Sequence, residues 1–413
     1  MRVYFETYGC TMNQGDTEIM RGIVAREHEV VNDPKKCDVA VINSCGVVQH
    51  TENKVIKRQR KLQEIGKKVL IAGCLPRINF SAVQNADGLL SPGSIDLIGE
   101  ALESISRGNK FTSLMATRLE KTCMPRHRAG GMVAVVPISE GCLGRCSYCA
   151  TKKARGGLKS FEPLGVVKDV KEALEKGYRE IQLTAQDTAA YGADSGETLP
   201  DLLWRILEIE GEFRVRVGMM NPETAFPIFK DLMDCFSSEK LYTFLHLPVQ
   251  SGDDSLLESM NRNYTVKDFA WMAKAFKKLG GTLSTDVIVG YPGEDEESFL
   301  MTYRLIEDIR PDILNIKRFS PRPGTKAAKL KDMPDRYKKE RSRKLTKLHS
   351  IIGLEENKKF IGEDHMVLVT EKGKKGTMLS RTNSYKQVVI NEGFLGEFKR
   401  VKIREATSTY LVA

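Results

Sequence analysis

Between residues 133 and 317 six short apolar runs recur, at 133–138, 180–184, 213–217, 243–247, 283–289 and 313–317, separated by amphipathic stretches such as 164–176 and 266–279. Each run is strand-length, and a long amphipathic connection returns the chain to a parallel neighbour. Gly177 and Gly280 stand where the intervening helices would end in a left-handed turn. Six β-α units rather than the eight of a closed parallel barrel describe a partial, open (β/α)6 barrel.

Different patterns flank this block. Apolar runs at 3–7, 39–43 and 69–72, with helix-compatible 17–26 and 51–65 between them, then 88–98 and a helix-like 97–106, describe a small parallel α/β domain. The stretch 114–131, with Pro125, Gly130 and Gly131, reads as a connector. Past residue 350 come short β-rich runs at 365–370, 376–379, 387–390, 399–403 and 409–412, with Gly and Asn between them, as in a small antiparallel β-barrel. The expected division of this α/β protein is 1–120, 132–350 and 354–413.

The net charge of +10 is unevenly spread: residues 317–413 hold 24 Lys+Arg and 11 Asp+Glu, or +13, which leaves −3 for the rest. A basic surface confined to one end points to a polyanion, most naturally nucleic acid. The basic segment 336–349 reads as a helix with a solvated face that adds to it. Met1 to Asn13 includes Glu6 and lacks the apolar core of a signal peptide, and no run approaches the ~18 apolar residues of a membrane span, so a cytoplasmic protein without a membrane partner is expected. In that compartment nine cysteines indicate metal or redox chemistry rather than disulfides.

Cys142, Cys146 and Cys149 form C-x3-C-x2-C directly after the first strand of the central block. Structural zinc normally takes four ligands. Three thiolates suit a [4Fe–4S] cluster whose fourth iron stays open to N and O atoms of a ligand; chance clustering is the competing explanation. Cys10, Cys45 and Cys74 each follow an N-terminal strand within a few residues, and parallel strands would bring them to one edge of the sheet as a second three-thiolate site. Three small buried core residues are the alternative. Cys37, Cys123 and Cys235 fit neither set and read as structural. The loops after the central strands contain Gln186-Asp187, Gln250-Ser251-Gly252, Gly290 with Glu294, and Arg322 with Gly324, together a candidate polar cofactor pocket.

A C-x3-C-x2-C loop with an aromatic before the last cysteine resembles the radical S-adenosylmethionine enzymes. Gly9-Cys10-Thr11-Met12-Asn13, Asn43-Ser44-Cys45, Gly73-Cys74, the Gln186-Asp187 loop, His246 to Gly252, Met260-Asn261-Arg262 and Gly290 to Glu294 together are similar to their methylthiotransferase branch. The likeness runs almost end to end, and the final barrel resembles a TRAM domain, an RNA-binding module. The resemblance implies two [4Fe–4S] clusters. The one on Cys142, Cys146 and Cys149 would bind S-adenosylmethionine and split it to methionine and a 5′-deoxyadenosyl radical able to attack an unactivated C–H bond. The one on Cys10, Cys45 and Cys74 would carry or donate sulfur, and a second S-adenosylmethionine would supply the methyl group. By position Tyr148 resembles the residue beside the adenine, and Gln186 and Arg262 are candidates for contacts to the cofactor's polar tail.

The stretch 141–156 is most similar to the archaeal and eukaryotic branch, which modifies N6-threonylcarbamoyladenosine next to the anticodon, at position 37 of tRNA, to its 2-methylthio derivative. Implied partners are tRNA through its anticodon loop, an electron donor such as a ferredoxin or flavodoxin, and a sulfur source. Members acting on isopentenyladenosine or on a ribosomal-protein aspartate share the cysteines. The basic C-terminal end favours RNA over protein and does not choose between the two adenosines. A non-catalytic iron–sulfur RNA-binding protein, or a two-cluster electron carrier, belongs to another class; carriers usually complete each cluster with four cysteines, whereas this chain offers two sets of three.

Overall fold

A computed structural model describes residues 1–115, 119–128 and 130–413; the expected connector 114–131 therefore falls partly outside the described residues. Strands β1 (Arg2–Tyr8), β2 (Glu29–Val31), β3 (Val39–Ser44), β4 (Lys68–Gly73), β5 (Gly88–Leu90) and β6 (Phe111–Ser113) form an all-parallel sheet in the order β2-β1-β3-β4-β5-β6. Both faces are covered, so β3 is buried along its whole length. Val39 and Val41 pack with Ile19 and Met20 of helix Thr11–Val24 and with helix Ile98–Ser106, while Ala40 and Ile42 pack on the other face with Val55 and Leu62 of helix Gln49–Glu64. The first helix starts at Thr11 rather than near residue 17, because Met12, Asn13, Gly15 and Asp16 are buried. Gly15 lies against Pro137 of the central unit, a contact that periodicity within one segment does not reveal.

The central unit contains β7 (Val133–Pro137), the short hairpin of β8 (Ser139–Glu140) and β9 (Lys159–Ser160), then β10 (Glu180–Thr184), β11 (Arg214–Val217), β12 (Phe244–His246), β13 (Thr282–Val289) and β14 (Ile313–Arg318). β7, β10 and β11 pair in parallel, as do β12, β13 and β14. The halves join where Val215 donates its N–H to Lys240 O at 2.7 Å and Tyr242 donates to Val215 O at 2.9 Å. Side chains alternate across each strand. Ile181, Leu183, Val215, Val217, Leu245, Leu247, Leu283 and Val287 enter one large core with the helices. Gln182, Arg216, Phe244, His246, Asp286 and Asn315 occupy the alternate positions, on the face those helices leave uncovered. Gly177 (φ +89°) and Gly280 (φ +71°) take the left-handed turns expected of them.

Strands β15 (Asp364–Lys372), β16 (Met378–Thr382), β17 (Gln387–Ile390), β18 (Phe398–Lys402), β19 (Glu405–Ala406) and β20 (Leu411–Val412) form the last sheet, in the order β18-β15-β16-β17-β20-β19. Its two ends, β18 and β19, are almost consecutive in the chain, so the sheet curls round a small core that includes Val367, Val388 and Leu411. The pairs are antiparallel except β17 with β20, which run parallel. This unit docks on the central one: Tyr385 packs against Tyr242 and Phe244, and Lys386 Nζ meets Asp312 Oδ1 at 2.6 Å.

The basic segment expected over 336–349 lies in helix Asp335–Lys358, and its face is less solvated than its composition suggests. Lys338 is buried, bonding Asp332 at 2.6 Å and Phe319 O at 3.1 Å, and buried Arg341 pairs with Glu294. Those two cations are neutralised inside the protein and do not add to its basic surface. Among the described residues no helix is long and apolar enough to cross a membrane.

Candidate cluster and cofactor site

At the C-terminal edge of the first sheet, Cys45 donates its backbone N–H to Tyr8 O at 2.7 Å and Cys74 donates to Ser44 O at 2.8 Å. Adjacent strand ends are thus tied together, which brings Cys10, Cys45 and Cys74 to one edge of the sheet, Cys10 exposed and Cys74 buried. Gly9, at φ +151°, permits this approach: a Cβ there would stand 2.5 Å from Asn13 Oδ1 and 2.9 Å from Cys45 Cβ. Asn13 Nδ2 donates to Asn43 Oδ1 at 3.0 Å, and Asn43 Nδ2 donates to Asn13 O at 2.7 Å, so two buried amides lock the first and second loops. Burial pushes the Cys74 thiol up to about 12 and raises Cys45; the positive charge of the Arg155 guanidinium works against that shift.

The second set lies on the loop between β8 and helix Thr151–Arg155. Gly144 donates its N–H to Cys142 Sγ at 3.3 Å, Thr151 donates to Cys149 Sγ at 3.4 Å, and Arg262 Nη1 donates to Cys146 Sγ at 3.3 Å. The loop is anchored beneath by Ser147, whose hydroxyl meets Tyr291 OH at 2.8 Å and Ser259 O at 3.0 Å. Burial pushes Cys142 up to about 12 and raises Cys149. A thiolate at either set would need compensating positive charge, which iron bound to sulfur would supply, with Arg262 beside the second set and Arg155 beside the first. N–H donors and a cation at each thiol set fit sulfur-ligated clusters. Among the described residues no three His, Cys, Asp or Glu side chains converge as a single metal ion demands; cluster ligands, each on its own iron, stand further apart.

A buried ionic group fixes one set relative to the other. Arg155 Nη2 meets Asp16 Oδ2 at 2.8 Å and Nη1 meets Glu140 Oε1 at 2.7 Å, while Lys121 Nζ lies 2.6 Å from each of the same two carboxylates. Asp16 belongs to the first helix, Lys121 to the connector, Glu140 to β8, and Arg155 to the helix that follows Cys149. Two cations facing two anions with every oxygen engaged make such burial tolerable. Sequence reasoning missed these residues; the one available signal was Arg155, placed soon after the third clustered cysteine.

The side chains of the strand-end loops are held by hydrogen bonds within the protein. Gln186 accepts the Gly141 N–H at 2.6 Å, bracing the start of the cysteine loop. Asp187 accepts from Asn221 N–H at 3.0 Å and Thr224 Oγ1 at 2.8 Å, and burial still pushes it up to about 6. Besides Cys146, Arg262 bonds Pro248 O and Tyr264 OH. Tyr148 is partly buried, edge-on to Tyr291 at 6.4 Å between centroids. Three other loops depart from the expected pocket. Arg322 is buried against Gln49 and Glu52 of helix Gln49–Glu64, Glu294 caps the Gly290 N–H at 2.9 Å and pairs with Arg341, and Gly252 donates to Thr302 Oγ1 at 2.8 Å. These groups tie elements together rather than line a cavity. Cys37 and Cys235 are buried core thiols, whereas Cys123 is exposed with φ +58°.

Three family models match the chain: Radical SAM superfamily over residues 136–306, Uncharacterized protein family UPF0004 over 2–90, and TRAM domain over 358–413. A protein of Archaeoglobus fulgidus named "Probable threonylcarbamoyladenosine tRNA methylthiotransferase" is 51% identical over 420 residues, covering 100% of this chain and 98% of that one. The "Threonylcarbamoyladenosine tRNA methylthiotransferase" of Xenopus laevis is 33% identical over 429 residues, covering 99% and 76%. The radical S-adenosylmethionine methyltransferase TsrM from Kitasatospora setae shares the fold, with a TM-score of 0.60, 13% identity and coverage of 79% and 75%.

Proposed function

The chain belongs to the radical S-adenosylmethionine tRNA methylthiotransferases, a transferase family, and from that membership we propose that it carries out sulfur insertion at C2 and methylation of that sulfur on N6-threonylcarbamoyladenosine, position 37 of tRNA, giving the 2-methylthio derivative. The observation that carries this reading is the pair of three-cysteine sets held together by Asp16, Lys121, Glu140 and Arg155. We assign one [4Fe–4S] cluster to Cys10, Cys45 and Cys74 and one to Cys142, Cys146 and Cys149, within domains 1–120 and 132–350. When bound, the clusters and S-adenosylmethionine supply the one-electron chemistry that breaks an unactivated C–H bond.

The chain's own residues prepare the site for that chemistry. Gly144, Thr151 and Val47 aim N–H groups at sulfur, Arg262 and Arg155 place positive charge beside the thiols, and Tyr148 offers a ring for the cofactor's adenine. Gln186 retains its amide NH2 for the cofactor's carboxylate while its oxygen holds Gly141. The curled sheet at 354–413 holds the anticodon arm through phosphate contacts, and the target base swings out of its loop, which a single-stranded segment permits at modest cost. An electron donor such as a ferredoxin or flavodoxin and a sulfur source complete the reaction, which takes place in the cytoplasm.

Nucleosides from tRNA of a strain lacking this chain test the reading by mass spectrometry. The expected outcome is loss of the 2-methylthio derivative with N6-threonylcarbamoyladenosine retained. An unchanged methylthio nucleoside would contradict it, and loss of the isopentenyl derivative instead would assign the other adenosine.

A further inference from the structure

We propose that Arg216 reads the carboxylate on the N6 substituent of the target base, so that the uncovered face of the half-barrel selects an anionic modified adenosine; this rests on the function proposed above. Arg216 lies one residue before the end of β11, on the face opposite the helix-packed core, beside Gln182 of β10. Of the other charged groups on this face, Glu180, His246 and Asp286 are committed, whereas Lys317 of β14 is exposed and among the described residues makes no hydrogen bond or ion pair. Glu180 accepts from Gln182 Nε2 at 2.7 Å, and from Tyr242 OH and Tyr385 OH at 3.3 Å. Asp286 Oδ1 is shared by His246 Nε2 at 2.9 Å and Asn315 Nδ2 at 2.7 Å.

Arg216 has no such partner. Its guanidinium carbon stands 4.8 Å from the Phe244 ring centroid and 5.6 Å from that of Tyr385, its Nε is buried without an acceptor, and among the described residues it makes no hydrogen bond or ion pair. Two aromatic faces hold the planar fork in place and leave its donors unused, which is the arrangement that captures a planar carboxylate in two-pronged fashion. One of those faces, Tyr385, comes from the RNA-binding unit, so docking of that unit completes the clamp. An isopentenyl group here would bury the fork without a partner. Sites built around a charged hydrogen bond reject the analogue that lacks it more strongly than apolar pockets reject a missing methylene.

The test measures binding of three anticodon stem-loops to the anaerobically reconstituted full chain, identical except that the target is N6-threonylcarbamoyladenosine, N6-isopentenyladenosine or adenosine. The unsubstituted protein should bind the first roughly 10- to 100-fold more tightly than the other two, the size of one charge-assisted hydrogen bond. In R216M and R216Q that ratio should fall to within about threefold, and R216K should recover part of it. Each ratio is taken on one preparation, so a reduced folded fraction cancels. A ratio unchanged in R216M, or an equal weakening of all three loops as a phosphate contact would give, overturns the proposal. Conversion of the threonylcarbamoyl loop by the unsubstituted protein is scored in parallel. If it proceeds while R216M keeps the full ratio, only the role of Arg216 fails; if it does not proceed and no preference is seen, the proposed function fails with it.

Discussion

Arg155 shows how much one side chain can be asked to do: it neutralises Asp16 and Glu140, and its guanidinium also reaches the Cys74 sulfur. Replacing it by Met leaves two buried carboxylates facing Lys121 alone. R155M should lower unfolding free energy by about 3–5 kcal/mol in chemical denaturation, the usual cost of breaking a buried pair. Arg107, which meets Glu103 on an exposed helix face, provides the contrast, and R107M should change stability by no more than about 0.5 kcal/mol. Similar losses in the two variants would mean that the buried group is not a lock. Glycines divide in the same way. G99A, inside a helix with open space around its Cβ, should stabilise by roughly 0.5–1 kcal/mol, whereas G9A should destabilise and displace Cys45. The two three-cysteine sets stood out in the sequence because spacing and strand ends are local features. The lock was not, because Asp16 lies 105 residues from Lys121 and 139 from Arg155.

Strands and helices of ordinary length could be read directly, since a buried parallel strand is a continuous apolar run and its crossover helix is amphipathic. β2 and β6 escaped because each has three residues at a sheet edge, with too little burial to leave a pattern. The loop after β14 was read as ligand-facing because a run containing proline, arginine and glycine looks alike whether it meets a cofactor or another helix. In the fold Arg322 joins that loop to helix Gln49–Glu64 through Gln49 and Glu52. A double-mutant cycle on R322M and E52Q should therefore give a coupling energy of at least about 1.5 kcal/mol, measured by denaturation of the full chain. Additive losses would mean that the loop is not tied to the N-terminal sheet.

Across the whole molecule, the charge at the C-terminal end was visible in composition and the succession of fold types in the pattern of apolar runs, while the docking of one part on another was not. Packing within the central unit also decides which cations are free: Lys338 and Arg341 are spent on Asp332, Phe319 O and Glu294, and Lys374, Lys375 and Lys402 remain exposed on the last unit. Changing these three to Gln should flatten the salt dependence of tRNA binding, by roughly 0.7–0.9 in the slope of log K against log salt for each lost phosphate contact. An unchanged slope would move the RNA surface elsewhere. The division of labour between the two thiol sets is tested most directly by one anaerobic reaction with S-adenosylmethionine, reductant, sulfide and tRNA, in which 5′-deoxyadenosine and the methylthio nucleoside are quantified together. The unsubstituted chain should form both. Replacing Cys142, Cys146 and Cys149 by Ala should abolish both, and replacing Cys10, Cys45 and Cys74 should leave cofactor cleavage without methylthio product. Methylthio nucleoside formed without the N-terminal thiols, or 5′-deoxyadenosine formed without the central ones, would contradict that division.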